Sequence, residues 1–222
     1  LLNFQTKVLP EKPQVVILMH NINDFALLSK TGSYWRGPNR KNLVKEPSYT
    51  PNASSIVNAL RLVKNLLVPN LYDYLKPRLF PELVVTDEFN NYREVGIDVH
   101  SNRTLSMFEK SLRSFIAVSN AWGVKPVLMT QFNRVNVNDE VFISYITSLG
   151  YGNDASTVVE LYNALNEVTR NVAKDTNTYL IDLDILIPKS ARYIYDIVHV
   201  NNEGSNLVGE IISNELIKIL PK

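Results

Sequence analysis

The sequence predicts an α/β fold that is built on a parallel sheet, and two observations support this prediction. Three short and almost wholly apolar runs occur at 15–20, 124–131 and 178–183. Such runs are typical of strands that are covered on both faces, as in parallel sheets. A stretch with helical spacing of apolar residues comes after each run along the chain. This alternation of strand and helix is the pattern of a doubly wound sheet with helices on both faces.

The three predicted strands differ in how they begin and end. The strand over 15–20 reads VVILMH and ends in a histidine. The strand over 124–131 is entered through Gly123, and the strand over 178–183 ends among acidic residues. Polar residues that follow parallel strands lie at the carboxyl edge of the sheet, where α/β proteins bind their ligands. The residues after each run are therefore the first candidates for a functional site.

Three helices are predicted from apolar residues that recur every three or four positions. Ser106 and Glu109 have the spacing of a capping box at the start of the first helix, and Thr157 and Glu160 open the second. The third helix follows a polar run, Asn201 to Gly204, that is suited to capping its amino end. The apolar stripes cover 105–116, 158–172 and 207–219.

Residues 25–103 break the alternation of strands and helices. This interval is rich in Pro, Asn and Tyr and contains one plausible helix, over 53–68. Loops longer than ~15 residues inside compact domains are usually functional or disordered. We expect an insertion or cap-like segment over the carboxyl ends of the strands, within a single domain that spans 1–222. A surface excursion without a function is the alternative.

Composition excludes some classes of protein and leaves others open. The 222 residues include 23 Lys plus Arg and 22 Asp plus Glu, a net charge of +1, with no basic stripe. Nucleic acid is therefore an unexpected partner. No apolar run approaches 18 residues, so no membrane span is expected. The absence of cysteine excludes disulfides and thiolate metal sites but leaves the compartment open.

Asp196 and His199 form the strongest candidate for catalysis. An Asp and a His three residues apart in a turn can point to the same side, so that the carboxylate accepts from imidazole Nδ1 and Nε2 is left free as a general base. An Asp-x-x-His pair is weak by itself, because a structural histidine is the commoner explanation. Its place in the loop before the last predicted helix strengthens it.

Asn23 is the second candidate, because it follows the first predicted strand. A side-chain amide at that edge can donate to a developing oxyanion, and the loss of one such donor typically costs ~10²–10³ in rate. Asn21 and the strand-ending His20 lie beside it and are candidates for lining a substrate pocket. The alternative is that Asn21 and Asn23 are ordinary turn residues.

Together these residues resemble the SGNH (GDSL-type) hydrolase family. The segment VVILMHNIND, over 15–24, is similar to the family's third block, in which a strand leads into Gly-x-Asn-Asp. The segment DIVHVNNEG, over 196–204, is similar to its fifth block, Asp-x-x-His with a downstream Gly. GVKPVLMTQFNR, over 123–134, resembles the strand between them. The resemblance covers roughly 1–24 and 104–220 and implies a three-layer α/β/α sandwich with a parallel flavodoxin-like sheet.

The resemblance implies a role for each matching residue. His199 becomes the general base, Asp196 its orienting partner and Asn23 a donor to the oxyanion hole. Asn21 stands where the family's third block has its first Gly, and Asn is able to adopt the same backbone conformation.

The family's first two blocks, with the nucleophilic Ser and a Gly of the oxyanion hole, have no counterpart here. None of the serines that are present, among them Ser29, Ser33, Ser54 and Ser205, stands on the strand–turn–helix that exposes a nucleophile. The first apolar strand would also have an unpaired edge, which is an aggregation liability. We therefore expect an upstream segment of the same protein, outside these 222 residues, to complete the sheet and carry the serine.

The expected function is that of a serine ester hydrolase, which requires no metal or organic cofactor. Its substrate is expected to be an acyl or acetyl ester of a small molecule, lipid or glycan. The insertion slightly favours an extracytoplasmic or cell-envelope location. One alternative is an O-acetyltransferase that uses the same residues to acylate a glycan. The other is a non-catalytic binding protein with the same fold.

Overall fold

The computed structural model describes residues 3–31, 34, 101–148 and 154–220. Within them the fold is α/β, with a three-stranded parallel sheet in the order β1-β2-β3. The strands lie inside the three apolar runs, so the predicted parallel sheet is confirmed. Each strand ends earlier than predicted, which places 130–131 and 182 in loops at the carboxyl edge. The bounds are β1 Val15–Met19, β2 Lys125–Met129 and β3 Tyr179–Ile181.

The described helices include the three that the apolar stripes predict, namely α2, α4 and α6. The chain begins with a short helical segment, made of a π-helical turn, Phe4–Val8, and a 3₁₀ turn, Leu9–Glu11. We call this stretch the N-terminal helical segment. The bounds of the others are α1 Ile22–Thr31, α2 Ser101–Ala121, α3 Glu140–Ser148, α4 Ala155–Asp175, α5 Leu183–Leu186 and α6 Asn202–Ile217.

Several local predictions differ from the structure. The capping box at Ser106 is wrong because α2 begins five residues earlier, at Ser101. Thr157 does not open α4, which begins at Ala155. Helices α1, α3 and α5 were not predicted from the sequence. The predicted insertion, 25–103, begins and ends in helices, since it includes most of α1 and the first turn of α2. Apart from Tyr34, the rest of it lies outside the described residues. This includes the helix that is predicted over 53–68.

Neighbouring strand residues belong to two different apolar clusters, which explains why the strands are apolar throughout. Val16 and Leu128 pack among side chains of α2 and α4. Ile17 and Val127 belong to a different cluster, which includes side chains of α6. Because neighbouring residues of a strand point to opposite faces, a strand covered on both sides has no position for a polar side chain.

Each strand is entered in the same way, through a residue with left-handed backbone that ends a helical segment. These residues are Lys12 (φ 52°) before β1, Gly123 (φ 69°) before β2 and Asn177 (φ 52°) before β3. The N–H of each one donates to a carbonyl three residues earlier, at 3.0, 3.0 and 3.2 Å. Glycine and asparagine favour this conformation, which turns the chain sharply out of a helix.

Pro126 limits the pairing between β2 and β3. Thr130 N–H donates to Ile181 O, so by alternation along the strand the backbone groups of residue 126 also face the β3 side. Pro126 has no N–H to donate. The ladder between the two strands accordingly begins one residue later, where Val127 is opposite Tyr179.

No helix in the described ranges combines the length and the apolar character that crossing a membrane requires.

Leu128 tests how far the central strand holds the fold together. Its side chain is fully buried (0% exposed), so Leu128→Ala should lower the free energy of unfolding by about 2–5 kcal/mol through lost burial and a residual cavity. Urea denaturation followed by circular dichroism measures the change. Leu186→Ala removes the same atoms from a side chain that is 46% exposed and should have a much smaller effect. Equal losses in both variants would contradict a core role for Leu128.

Candidate active site

Asp196 and His199 form a hydrogen-bonded pair on a tight loop. The loop lies between β3 and α6 and is closed at its base by an antiparallel bridge between Ile194 and Val200. Tyr195 N–H donates across it to His199 O at 3.0 Å. Inside the loop, His199 Nδ1 lies 2.6 Å from Asp196 Oδ2. The pairing that the spacing predicts is therefore present in the structure.

The two carboxylate oxygens of Asp196 have different partners. Oδ1 accepts from the backbone N–H groups of Val198 (2.8 Å) and His199 (2.7 Å), which leaves Oδ2 for the imidazole. Burial alone raises the pKa of Asp196, but these hydrogen bonds and the nearby imidazole outweigh it and hold the pKa below its usual value. The carboxylate is thus ionised and fixed in place, as an orienting partner of His199 must be.

The imidazole of His199 is open to solvent, with 67% of its side chain exposed. The ring of Tyr195 stacks on it, with centroids 6.0 Å apart. In the part of the chain that the structure describes, no side-chain hydroxyl donates to the ring. A ring held through Nδ1 and exposed elsewhere has Nε2 available for proton transfer.

Arg134 fixes the loop to the end of β2, a role that the sequence did not reveal. Its N–H donates to Ile197 O (2.8 Å), and its guanidinium donates to Ile194 O (3.0 Å) while pairing with Asp139 at 2.7 Å. Ile197 and Val198 are also buried. The position of the dyad therefore depends on residues 60 positions away. An arginine five residues after the end of β2 was the available signal.

Asn23 lies at the same edge of the sheet as the dyad, but on a helix. It occupies the first turn of α1, directly after β1, and its side chain is exposed. Its neighbour Ile22 packs against the apolar cluster that holds Ile197 and Val198. Asn23 and His199 thus border one cluster and are both accessible. Both remain candidates on this ground.

Asn21 is buried, with only 2% of its surface exposed. Its Nδ2 donates to Asn166 Oδ1 at 2.9 Å and to Tyr162 O at 3.3 Å, both on α4. Its Oδ1 has no hydrogen-bond partner in the described structure. This placement favours a supporting role for Asn21 over the substrate contact that the sequence suggested.

Gln131 connects the groups around Asn21. Its Oε1 accepts from Ile22 N–H and from Tyr162 Oη, each at 2.9 Å. Its backbone exchanges two hydrogen bonds with the amide of Asn166. These contacts join the start of α1, the end of β2 and α4. The sequence placed Gln131 at the end of a predicted strand and gave no sign of this role.

His20 is beside a second carboxylate. Its Nδ1 is 3.4 Å from Asp24 Oδ2 but lacks hydrogen-bonding geometry. Asp24 is buried and accepts from Tyr34 Oη at 2.7 Å. Burial, and then the charge of Asp24, raise the pKa of the Tyr34 phenol. His20 lines a groove along β1, and His199 is not among the residues that line this groove. Whether His20 contacts a substrate stays a prediction.

A cluster of charges stabilises the carboxyl ends of β2 and β3. Arg170 donates to Asp182 and to Asp184, each at 2.7 Å, and Thr130 Oγ1 donates to Asp182 Oδ1 at 2.7 Å. Burial alone raises the pKa of Asp182, but the hydrogen bonds from Arg170 and Thr130 outweigh it and hold the pKa below its usual value. Every member has an opposite charge or a donor, so the cluster is structural.

The described serines do not include one that is bonded to His199. Ser205 lies in the first turn of α6, as predicted, and Ser29 is buried in α1. Ser33, Ser54 and Ser55 lie outside the described residues.

The predicted cap of α6 is confirmed, since Asn201 Oδ1 accepts from Gly204 N–H at 3.0 Å.

No family model, curated protein or solved structure matches the chain significantly.

Gly204 and Gly209 test how tightly α6 is seated behind the dyad loop. A Cβ on Gly204 would collide with the backbone oxygen of Tyr193, whereas one on Gly209 meets nothing within 4 Å. Gly204→Ala should therefore lower the free energy of unfolding by about 1–3 kcal/mol and shift the NMR signals of the His199 ring. Gly209→Ala should raise it by about 0.5–1 kcal/mol through helix propensity. A silent Gly204→Ala would mean that this contact is not close.

Arg170 tests the charge cluster. Arg170→Met leaves Asp182 without its cation, whereas Asp184 keeps the ammonium group of Lys189 at 2.8 Å. The change should lower the free energy of unfolding by about 3 kcal/mol near neutral pH. Because the pKa of Asp182 is depressed in the fold, its contribution is present above the unfolded pKa and is lost as pH falls below about 4. The difference in free energy of unfolding between Arg170→Met and the parent protein should therefore become smaller as the pH falls below about 4. Arg113→Met breaks only exposed ion pairs and should leave the free energy of unfolding unchanged. If the stability lost in Arg170→Met did not depend on pH, the ion pair between Arg170 and Asp182 would not be its cause.

Proposed function

We propose that this chain carries the general base of a serine ester hydrolase of the SGNH type. The observation that supports it best is the His199–Asp196 pair, with a 2.6 Å contact, an exposed imidazole and a carboxylate held by two backbone N–H groups. In this proposal β1, β2 and β3 are the C-terminal strands of a flavodoxin-like sheet in a three-layer α/β/α sandwich. The remaining strands and the nucleophilic serine come from residues outside the described ones.

His199 moves the proton in both halves of the reaction. The serine Oγ attacks the carbonyl carbon of the ester, and its proton passes to His199 Nε2. His199 then returns this proton to the leaving alcohol as the C–O bond breaks, which yields an acyl-enzyme. Water, deprotonated by the same nitrogen, attacks the acyl carbon, and the serine leaves with that proton. Asp196 stabilises the imidazolium and keeps its tautomer throughout.

Asn23 contributes to the binding of the oxyanion. Its exposed amide stands in the first turn of α1, where the helix dipole also favours negative charge. Asn21 is buried beneath it and holds the start of α1 against α4. Asn23 is therefore the group that contacts the substrate, and Asn21 and Gln131 are positioning residues.

Hydrolysis is the form of the reaction that we propose, with water as the acceptor of the acyl group. The substrate class is a carboxylic ester of a small alcohol, lipid or glycan. Acylation of an added glycan, in place of release of free acid, would identify the transferase form of the same chemistry.

Asp196→Asn is the sharpest test of this proposal. The Asn oxygen still accepts from Val198 and His199 N–H, so the loop is preserved, but its NH₂ faces Nδ1 and favours the wrong tautomer. In the natural full-length protein, kcat for p-nitrophenyl acetate should fall about 10⁴-fold, while the protein stays folded at the assay temperature. Asp175→Asn, the same change at an exposed ion pair with Arg113, should leave kcat unaltered.

Two results would contradict the proposal. One is full activity in Asp196→Asn. The other is a folded natural protein that hydrolyses no ester and whose serines do not react with a fluorophosphonate, which would support the non-catalytic binding protein.

A further inference from the structure

Tyr195 is an exposed aromatic residue beside the candidate general base. It is 59% exposed, although the residue before it, Ile194, is fully buried. Its ring stacks on the imidazole of His199, with an angle of 21° between the two ring planes. Tyrosine offers a large and rigid contact surface at a low entropic cost, since only two torsion angles have to be fixed. The ring is therefore well placed to contact a substrate that binds at His199.

The backbone of the dyad loop holds this ring in position. Ile194 is opposite Val200 in the antiparallel bridge, and one residue further along Tyr195 N–H donates to His199 O at 3.0 Å. Neighbouring residues of an extended chain point to opposite sides, so Ile194 enters the core while Tyr195 and His199 lie together on the solvent side. Side chains that are directly opposite in such a pair are close enough to interact. The stack is thus a consequence of how the loop is closed.

The proposed reaction places the alcohol half of the ester next to this stack. His199 Nε2 returns its proton to the leaving oxygen, so this oxygen has to come within about 2.6–3.2 Å of the nitrogen. The carbonyl oxygen, in contrast, faces the amide of Asn23 on α1. The group that is bonded to the leaving oxygen is therefore the part of the substrate that lies nearest to the dyad loop. The ring centroid of Tyr195 is 6.0 Å from that of His199, within reach of this group.

The surroundings of Tyr195 favour a carbohydrate over an apolar alcohol. Its ring is open to water, and Tyr195 is not among the residues that line the groove along β1. An alkyl chain or an aromatic ring gains most from a pocket that encloses it, because its outer side otherwise stays in water. A sugar ring has an apolar C–H face that can cover an aromatic ring while its hydroxyl groups remain hydrated. An open aromatic surface therefore suits a sugar.

We infer that Tyr195 binds the alcohol half of the substrate and that this half is a carbohydrate ring. The sugar covers the part of the tyrosine ring that the imidazole leaves exposed, and its ester oxygen faces His199. Tyr195 thus determines specificity for the alcohol and takes no part in proton transfer. This assignment rests on the proposed function, because the place of the alcohol follows from the role of His199. It narrows the substrate from carboxylic esters in general to esters of glycans.

Two acetate esters that differ only in their alcohol test this assignment in the natural full-length protein. They are ethyl acetate and methyl glucopyranoside acetylated at its primary hydroxyl. Tyr195→Leu keeps an apolar side chain against the imidazole but removes the flat ring. It should raise KM for the sugar ester about 10-fold and leave KM for ethyl acetate unchanged. For both esters kcat should stay the same, since a contact that binds the ground state and the transition state equally changes KM alone.

Two further variants are controls. Tyr195→Phe keeps the aromatic ring and should behave as the parent protein does with both esters. Trp122→Leu removes an aromatic side chain that is 51% exposed but lies between the end of α2 and the start of β2. This position is at the edge of the sheet opposite to the dyad loop, so neither KM should change.

Several results in an active protein would overturn the assignment of Tyr195 and leave the proposed function standing. They are an equal rise in KM for both esters in Tyr195→Leu, no change with either ester, and a fall in kcat with both. A fall in kcat would mean that Tyr195 supports the imidazole instead of binding the sugar. The assignment also fails if Tyr195→Phe behaves like Tyr195→Leu, or if Trp122→Leu raises KM for the sugar ester as much. A folded protein that hydrolyses no ester would contradict the proposed function and the role of Tyr195 together.

Discussion

The hydrogen bonds of Gln131 are the interaction on which the arrangement of the candidate site depends. Its side chain contacts the start of α1 and the hydroxyl of Tyr162, and its backbone N–H and C=O contact the amide of Asn166. Buried amides of this kind are directional, so they fix how α1 and α4 meet the end of β2 in a way that apolar packing alone does not. The position of Asn23 follows from the position of α1, and the position of the His199 loop follows from the backbone three residues after Gln131.

The sequence was informative where the chain is locally patterned. The apolar runs and the helical stripes predicted the strands and the helices α2, α4 and α6. Burial of both faces of a strand, or of one side of a helix, produces a regular pattern of apolar residues in the sequence. The contact between Asp196 and His199 was predictable for the same reason, since both partners lie in one turn. The cap of α6 at Asn201 is another local feature.

Long-range contacts left no such record. Arg134 holds the dyad loop across 60 positions, and Asn21 pairs with a residue 145 positions away. The burial of Asn21 was hidden because an Asn after a strand also suits a turn. Helix α1 has no separate pattern of its own, since its sequence, INDFALLSKT, follows the strand almost directly. Features that depend on tertiary contacts were therefore the ones that the sequence did not predict.

Pro126 has a consequence for how the sheet opens. Because the ladder between β2 and β3 begins only at Val127, the pairing there is confined to the half nearest the loops that carry Gln131, Asp182 and the dyad. Thermal fraying of this sheet should accordingly start at its amino-terminal end and travel toward the loops. The loops that carry the candidate site are therefore attached to the part of the sheet that separates last.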